Sequence, residues 1–428
     1  MSEVRLAKPR MVRGRVVVPG DKSISHRALV LAALAEGRSR IAHRATGDDQ
    51  ASMIRCLEAL GVTVSAEADS ATVDGVGLRG LRSPAADLDC GNSGATMRFL
   101  AGAVAGVAGV RARLSGDASL SRRPMERVAA PLRRLGAEVS CAPGGTPPLE
   151  VAGRPLTGAA IDLDVPSAQV KTAVLLAALN ASGATSVREP APTRDHTERM
   201  LRRLGVELTQ RDGNLELRPP ASLPAFAISV PGDPSSAAFW AVLAAAHEDA
   251  EVEIPGVCLN PTRTGALEVL RRMGARVEVL NRRDEAGEEV GDLVVRSAAL
   301  HGTEVTAAEV PALVDEVPVL AVAAAAADGE TVMRGLGELR VKESDRLTAI
   351  AAALGLMGVA AEVDGDDLRI RGGGLRGAAL DSAGDHRLAM ALAVAGELAS
   401  GGTTIRGAGA AAVSYPAFFD ELSRLSVQ

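Results

Sequence analysis

The chain has 428 residues, 47% hydrophobic and 23% charged, with 47 basic against 53 acidic side chains and a net charge of −6. That length predicts two or three domains, and the apolar fraction excludes intrinsic disorder. One Trp, one Tyr and five Phe in an acidic chain lack the basic field and stacking platforms of a nucleic-acid binder, so small molecules are the expected partners.

The first segment carries Arg5, Lys8, Arg10, Arg13 and Arg15 with no apolar run between them, unlike a secretory signal. The longest apolar runs, 99–110 and 317–327, fall well short of the ~20 residues that span a bilayer. A cytoplasmic protein without a membrane helix is expected. Cys56, Cys90, Cys141 and Cys258 are far apart in sequence with no C-x-x-C pair, which predicts buried thiols rather than a disulfide framework or zinc site. Four of the 47 basic residues are lysines (Lys8, Lys22, Lys171, Lys342) and the other 43 are arginines. A lysine in such a chain marks a place that needs a compact ammonium, which unlike a guanidinium can be deprotonated.

In chain order, six Ala-rich segments are apolar nearly all round and predict buried helices: 25–35, 93–105, 168–179, 235–246, 316–327 and 386–398. Between them lie amphipathic segments that end in Leu/Met-Gly-Val/Ala: 53–64, 128–139, 198–208, 267–277 and 347–363, with a shorter sixth at 417–425. Each predicts a helix stopped by a left-handed glycine (Gly61, Gly136, Gly205, Gly274, Gly358) and followed by a strand. Within the Gly94 segment, Gly102-x-x-x-Gly106 predicts close helix packing. The unit recurs about every 70 residues, longer than the ~20–50 of most solenoids. The run Val18-Pro19-Gly20-Asp21-Lys22-Ser23 is echoed by Val230-Pro231-Gly232-Asp233-Pro234-Ser235, which divides the chain into halves of three units. The first domain is expected over 19–230 and the second over 1–18 plus 231–428.

Polar residues gather where the buried helices begin. They read Asp21-Lys22-Ser23-Ile24-Ser25-His26-Arg27, Gly91-Asn92-Ser93-Gly94 through Arg98, Ser167-Ala168-Gln169-Val170-Lys171, Asp233-Pro234-Ser235-Ser236, Asp315-Glu316-Val317-Pro318 and Asp385-His386-Arg387. Capping accounts for the Ser and Asp residues. It does not account for Lys22, Arg27, Arg98 and Arg387, which oppose the helix dipole unless an anion binds there. Two more basic motifs, Ser121-Arg122-Arg123-Pro124-Met125 and Arg340-Val341-Lys342-Glu343-Ser344-Asp345-Arg346, strengthen the case for a basic cleft over a set of solvated charged faces. No nucleotide-binding loop or H-x-x-x-H pair is present, and His196 in Arg194-Asp195-His196-Thr197-Glu198 is expected to cap and lead its helix rather than bind metal.

Together with Arg123-Pro124-Met125, these motifs resemble, in order and along essentially the whole chain, those of the 3-phosphoshikimate 1-carboxyvinyltransferase (EPSP synthase) family. The resemblance implies a mixed α/β fold: a two-domain inside-out α/β barrel of six βαβαββ repeats, three per domain, with the active site in the cleft between them. It implies transfer of the carboxyvinyl group of phosphoenolpyruvate to the 5-hydroxyl of shikimate 3-phosphate, with release of phosphate and no metal or organic cofactor. By position, Lys22, Ser23, Arg27, Ser167, Ala168, Gln169, Arg194, Asp315, Glu338 and Lys342 correspond to the shikimate 3-phosphate site, which lies mainly on the first domain. Lys22, Gly94, Arg123, Gln169, Arg346 and Arg387 correspond to the phosphoenolpyruvate site, mainly on the second. Asp315, Glu343 and Lys22 correspond to the catalytic groups. Burial beside Asp315 is expected to raise the pKa of Glu343 against the lowering effect of Lys342 and Arg346.

The chain departs from the family pattern at Val413, where a Lys often precedes the Ser414-Tyr415-Pro416 motif, at Glu338 in place of Asn, and at Ala95 and Phe99. Gly94 is expected to leave room for glyphosate. Two other readings remain: a UDP-N-acetylglucosamine enolpyruvyl transferase, whose usual Cys is missing from the loop 116–123, and a non-catalytic phosphoanion-binding protein. No heptad or exposed apolar stripe is legible, and a monomer is expected.

Overall fold

The computed structural model describes residues 3–427, so the outermost residues of the second expected domain, 1–2 and 428, lie outside it. The fold is mixed α/β, and the chain divides into two compact units. One comprises Gly20–Val230 with Glu285–Glu288, and the other Met1–Pro19, Pro231–Asp284 and Glu289–Gln428. The short Glu285–Glu288 piece has no counterpart in the sequence reading: it is the turn of a hairpin whose strands otherwise belong to the second unit.

The six Ala-rich segments are helices buried almost throughout. In the Gly20–Val230 unit they are Lys22–Leu34, Gly94–Ala105 and Ala168–Ala178, packed on one another. In the other unit Pro234–Ala246, Val317–Ala326 and His386–Leu398 do the same. Alanine and glycine suit this arrangement because small side chains let helix axes approach at the short end of the ~8–10 Å range. At Gly102 a Cβ would stand 2.7 Å from Ala173 Cα and overlap its carbonyl, and at Gly106 it would stand 2.6 Å from Asn180 Cβ. The expected close packing at Gly102-x-x-x-Gly106 is therefore present.

Sheets surround the helices within each unit. The repeat reads most clearly in the segment Leu88–Asp89, Gly94–Ala105, Arg111–Ser115, Glu126–Arg134, Glu138–Ala142, Thr146–Ala152, which is strand, helix, strand, helix, hairpin. Its first two strands pair in parallel, and the hairpin adds antiparallel beside them. The amphipathic helices end at the predicted glycines, with φ of 91° at Gly61, 97° at Gly136, 83° at Gly205, 98° at Gly274 and 84° at Gly358, the conformation in which a side chain is costly.

The opening strands of the two halves are exchanged. Met11–Arg15 precedes the Lys22 helix in sequence, yet belongs to the unit that lacks this helix, where it pairs in parallel with Ala250–Cys258. Ala227–Ser229, which precedes the Pro234 helix, pairs in parallel with Glu36–Ala42 of the Gly20–Val230 unit. Glu3–Leu6 likewise pairs with Thr403–Arg406. Backbone donors and acceptors of an edge strand need partners, and this exchange supplies them within each unit.

The cysteines depart in part from expectation. Cys56, Cys90 and Cys258 are buried but Cys141 is only half-buried, and Cys56 and Cys90, 34 residues apart in sequence, lie within hydrogen-bonding reach of each other. None of the four forms a disulfide. Among the described residues no helix is long and apolar enough to cross a membrane. Because the neighbour at Gly102 is backbone that cannot rotate away, Gly102→Ala is expected to lower the stability of its unit by about 1–3 kcal/mol. Urea unfolding checks this, and an unchanged midpoint would mean that the helices separate without cost.

Candidate active site

In the Gly20–Val230 unit the polar groups gather at helix starts. Gly20 is required because a Cβ would collide with the backbone of His43. Asp21 then caps the first helix by accepting a bond from Ile24 N at 2.8 Å. Lys22 Nζ lies 3.2 Å from Asp49 Oδ2. His26 is fully buried, with Nδ1 2.8 Å from the Lys22 carbonyl and Nε2 3.3 Å from Ser93 Oγ, the cap of the Gly94 helix. It therefore ties together the starts of two buried helices. Burial pushes its pKa down to about 4, so the ring is neutral at pH 7.

Gly94 lets two guanidiniums approach the backbone: a Cβ there would lie 2.9 Å from Arg98 Nη1 and 3.4 Å from Arg123 Nη1. Arg98 donates to Gln169 Oε1 and to the Pro124 carbonyl, while Arg123 donates to Asn92 Oδ1 and Ser119 Oγ. Gly94, Arg123 and Gln169 are thus brought together, with Arg98 between them. Sequence reasoning noted Arg98 as an ill-placed cation but gave it no site role. Arg27 bridges Thr197 Oγ1 (2.6 Å), Thr172 Oγ1 (2.9 Å) and the Ser23 carbonyl (2.9 Å), with its guanidinium 4.9 Å from the Phe99 ring centre. Ser167 caps the Ala168–Ala178 helix, and Ser167, Ala168 and Gln169 are half-buried on its first turn. Arg194, also half-buried, lies in the loop that leads into His196–Arg203.

His196 does not cap that helix. Asp195 occupies the cap position, where its side chain makes no capping bond and instead accepts from Arg199 Nε at 2.9 Å, and the buried His196 ring has Nδ1 2.7 Å from Glu288 Oε1. Its role is to anchor the Glu285–Glu288 turn, which sequence spacing could not foresee across 92 residues.

In the other unit Asp315 is the centre. Its carboxylate lies 3.7 Å from Lys342 Nζ, 3.5 Å from Arg346 Nη1 and 3.8 Å from Arg387 Nη2. Asp315 was expected among the polar residues that open the Val317–Ala326 helix, yet that helix has no side-chain cap and uses Pro318 in its first turn instead, a residue without an N–H to satisfy. Arg346 is buried and donates to Asp385 Oδ2 at 2.7 Å and to Glu343 Oε2 at 2.6 Å. Burial opposes its charge, but Glu343, Asp385 and Asp315 outweigh burial and raise its pKa. Burial likewise works against the charge of Asp385, and Arg346 overcomes it, so that its pKa is lowered. Asp385 also caps the His386–Leu398 helix through Arg387 N at 2.8 Å.

The echo motif builds a matching polar network in the same unit. Arg263 donates to Asp233 Oδ1 (2.9 Å) and Ser235 Oγ (2.8 Å), Ser235 donates to Glu316, and Glu316 Oε1 lies 3.6 Å from Arg387 Nη1. Glu316 stands among the polar residues that the sequence places at helix starts, without a site role, whereas Arg263 carries no signal of its own beyond the repeated Pro-Gly-Asp-x-Ser that it bonds to. Glu338 is exposed in the short helix Gly337–Val341, and Val413 ends another, Ala408–Val413, beside the buried Tyr415. Chemically, the cations suit anionic substrates, and carboxylates such as Asp315 and Glu343 are a type of group able to move protons.

The buried neutral imidazole has a pH signature. The pKa of His26 is about 4 in the fold against about 6.5 unfolded, so the unfolded chain binds the extra proton and stability falls as pH drops through this window, by roughly 3 kcal/mol. Urea unfolding at pH 4.5 and pH 7 should show this loss in the parent chain and a reduced one in His26→Gln. Equal losses in the two would exclude His26 as the source.

The EPSP synthase (3-phosphoshikimate 1-carboxyvinyltransferase) family model matches residues 6–422. A 3-phosphoshikimate 1-carboxyvinyltransferase from Roseiflexus sp. (strain RS-1) is 52% identical over 426 residues, covering 98% of each chain. One from Chloroflexus aurantiacus is 50% identical over 430 residues, covering 99% of each. Among solved structures, an EPSP synthase from Acinetobacter baumannii superposes with a TM-score of 0.89 at 41% identity, covering 100% of this chain and 98% of its own. An enolpyruvyl transferase, NikO from Streptomyces tendae, shares the fold at a TM-score of 0.80 and 22% identity. Matched over residues 6–422 and half identical to these relatives along nearly its full length, the chain belongs to the EPSP synthase family.

Proposed function

We propose that this protein transfers the carboxyvinyl group of phosphoenolpyruvate to the 5-hydroxyl of shikimate 3-phosphate and releases phosphate. The observation that carries the reading is Asp315, a carboxylate ringed by Lys342, Arg346 and Arg387 at 3.5–3.8 Å, in a chain that matches the family over 6–422. Lys22, Ser23, Arg27, Ser167, Ala168, Gln169, Arg194, Asp315, Glu338 and Lys342 bind the acceptor in this reading. Lys22, Gly94, Arg123, Gln169, Arg346 and Arg387 bind the donor. The two clusters serve one pair of substrates, and the protein works as a cytoplasmic monomer.

Asp315 takes the proton of the 5-hydroxyl as its oxygen bonds to C2 of phosphoenolpyruvate, and Glu343, with Lys22, delivers a proton to C3. The resulting tetrahedral adduct then loses a proton from C3 and expels phosphate, which restores the double bond. Charge develops at C2 beside a carboxylate and a phosphate, so fixed cations lower the barrier. Lys22 and Arg346 hold carboxylate partners of their own, which keeps them oriented before the substrates arrive.

Release of inorganic phosphate tests the reading. It should require phosphoenolpyruvate together with shikimate 3-phosphate, fail with UDP-N-acetylglucosamine as acceptor, and fall by about 10²–10⁴ in kcat for Asp315→Asn. Release only with the sugar nucleotide would favour the other enolpyruvyl transferase reaction, and binding without turnover would favour a phosphoanion-binding protein. The absence of a side chain at Gly94 beside the Arg98 and Arg123 guanidiniums also predicts that glyphosate inhibits competitively against phosphoenolpyruvate; indifference at millimolar concentration would refute that expectation.

A further inference from the structure

Lys171 is the one buried lysine, with a side chain 3% exposed, and the reading above gives it no task. Its ammonium lies 2.7 Å from Glu189 Oε2 and 2.6 Å from Glu198 Oε1. These two carboxylates bracket the loop that carries Arg194: Glu189 follows the strand Thr185–Arg188, and Glu198 is in the first turn of His196–Arg203. The other oxygen of Glu189 accepts from Thr193 Oγ1, next to Arg194. One ammonium therefore holds the loop at both ends against the helix that begins with Ala168 and Gln169.

The neighbouring residues repeat the connection. Thr172 Oγ1 donates to the Ala168 carbonyl at 2.7 Å and lies 2.6 Å from Thr197 Oγ1. With its own hydrogen committed, Thr172 must accept from Thr197, and Arg27 donates to both hydroxyls. Residues 171–172 thus grip residues 197–198 at two adjacent points, and Arg27 completes the second. Three motifs separated in sequence meet here.

We infer that Lys171 is a positioning residue, which clasps the Arg194 loop onto the Ser167–Gln169 turn and so shapes the acceptor half of the site. The inference rests on the proposed binding of shikimate 3-phosphate there. A lysine is required because two carboxylates from different segments converge on one enclosed point. An ammonium presents its donors in divergent directions, whereas a guanidinium is larger and planar.

The test is steady-state kinetics with both substrates, together with calorimetric binding of shikimate 3-phosphate, on the parent chain and on Lys171→Met, Lys171→Arg and Glu198→Gln. For Lys171→Met, KM and Kd for shikimate 3-phosphate should rise about tenfold or more, while KM for phosphoenolpyruvate and kcat stay within about threefold. Lys171→Arg should not restore the parent values. Should Lys171→Met fail to fold, the isosteric Glu198→Gln decides by the same split. A folded variant with unchanged acceptor KM and Kd, or one in which both KM values rise together, would overturn the inference. Failure of the functional reading looks different, because the parent chain itself would then neither bind shikimate 3-phosphate nor release phosphate.

Discussion

Everything in this molecule depends on helices that are buried on all sides. A helix that meets only alanine, leucine and valine has no flank on which to place a polar group, yet its first four N–H groups still need partners. Polar residues are therefore concentrated at the helix starts, with Glu397 near the end of His386–Leu398 held by Ser426. Asp21, Ser93, Ser167, Asp233 and Asp385 all cap buried helices there. The groups proposed to bind substrates stand within a few residues of those caps, so stability and binding draw on the same short stretches of chain.

The cations at these starts are held by the protein itself. Lys22 rests on Asp49, Arg27 on two threonine hydroxyls, Arg346 on Asp385 and Glu343, and Arg387 close to Asp315 and Glu316. A buried charge without a partner costs several kcal/mol, so each cation needs a protein partner whether or not an anion is bound. The same partners restrict rotation of the side chains. Substrate anions in the proposed reaction meet cations whose geometry is already set, which is the condition under which electrostatic stabilisation is most effective.

The strand exchange places a second constraint on the chain. Met11–Arg15 completes a sheet with Ala250–Cys258, and Ala227–Ser229 completes one with Glu36–Ala42. Met11–Arg15 also pairs with Ser426–Val427, so the two ends of the described chain meet in one sheet, while Ala227–Ser229 brings the end of the Gly20–Val230 segment back to its start. The echo of Val18-Pro19-Gly20-Asp21 at Val230-Pro231-Gly232-Asp233 marks these two crossings, and both glycines leave room for close backbone approach, Gly20 to His43 and Gly232 to Gly256.

Periodicity and composition determined much by themselves. The six buried helices, the amphipathic helices with their left-handed glycines and the small-residue surface at Gly102 were all legible, because each depends on residues within one or two turns of one another, although Ala173 as the neighbour of Gly102 was not. The site was legible as a set of motifs, and family resemblance supplied their roles. What only the tertiary structure decided are the partners drawn from distant segments: Asp49 for Lys22, Glu288 for His196, Glu316 and Arg263 behind Arg387, Cys56 beside Cys90, and two glutamates on Lys171. The reason is physical. Local pattern reports which face of an element is apolar, whereas the pairing of buried charges depends on which faces meet, and that is settled by packing among residues tens to hundreds of positions apart.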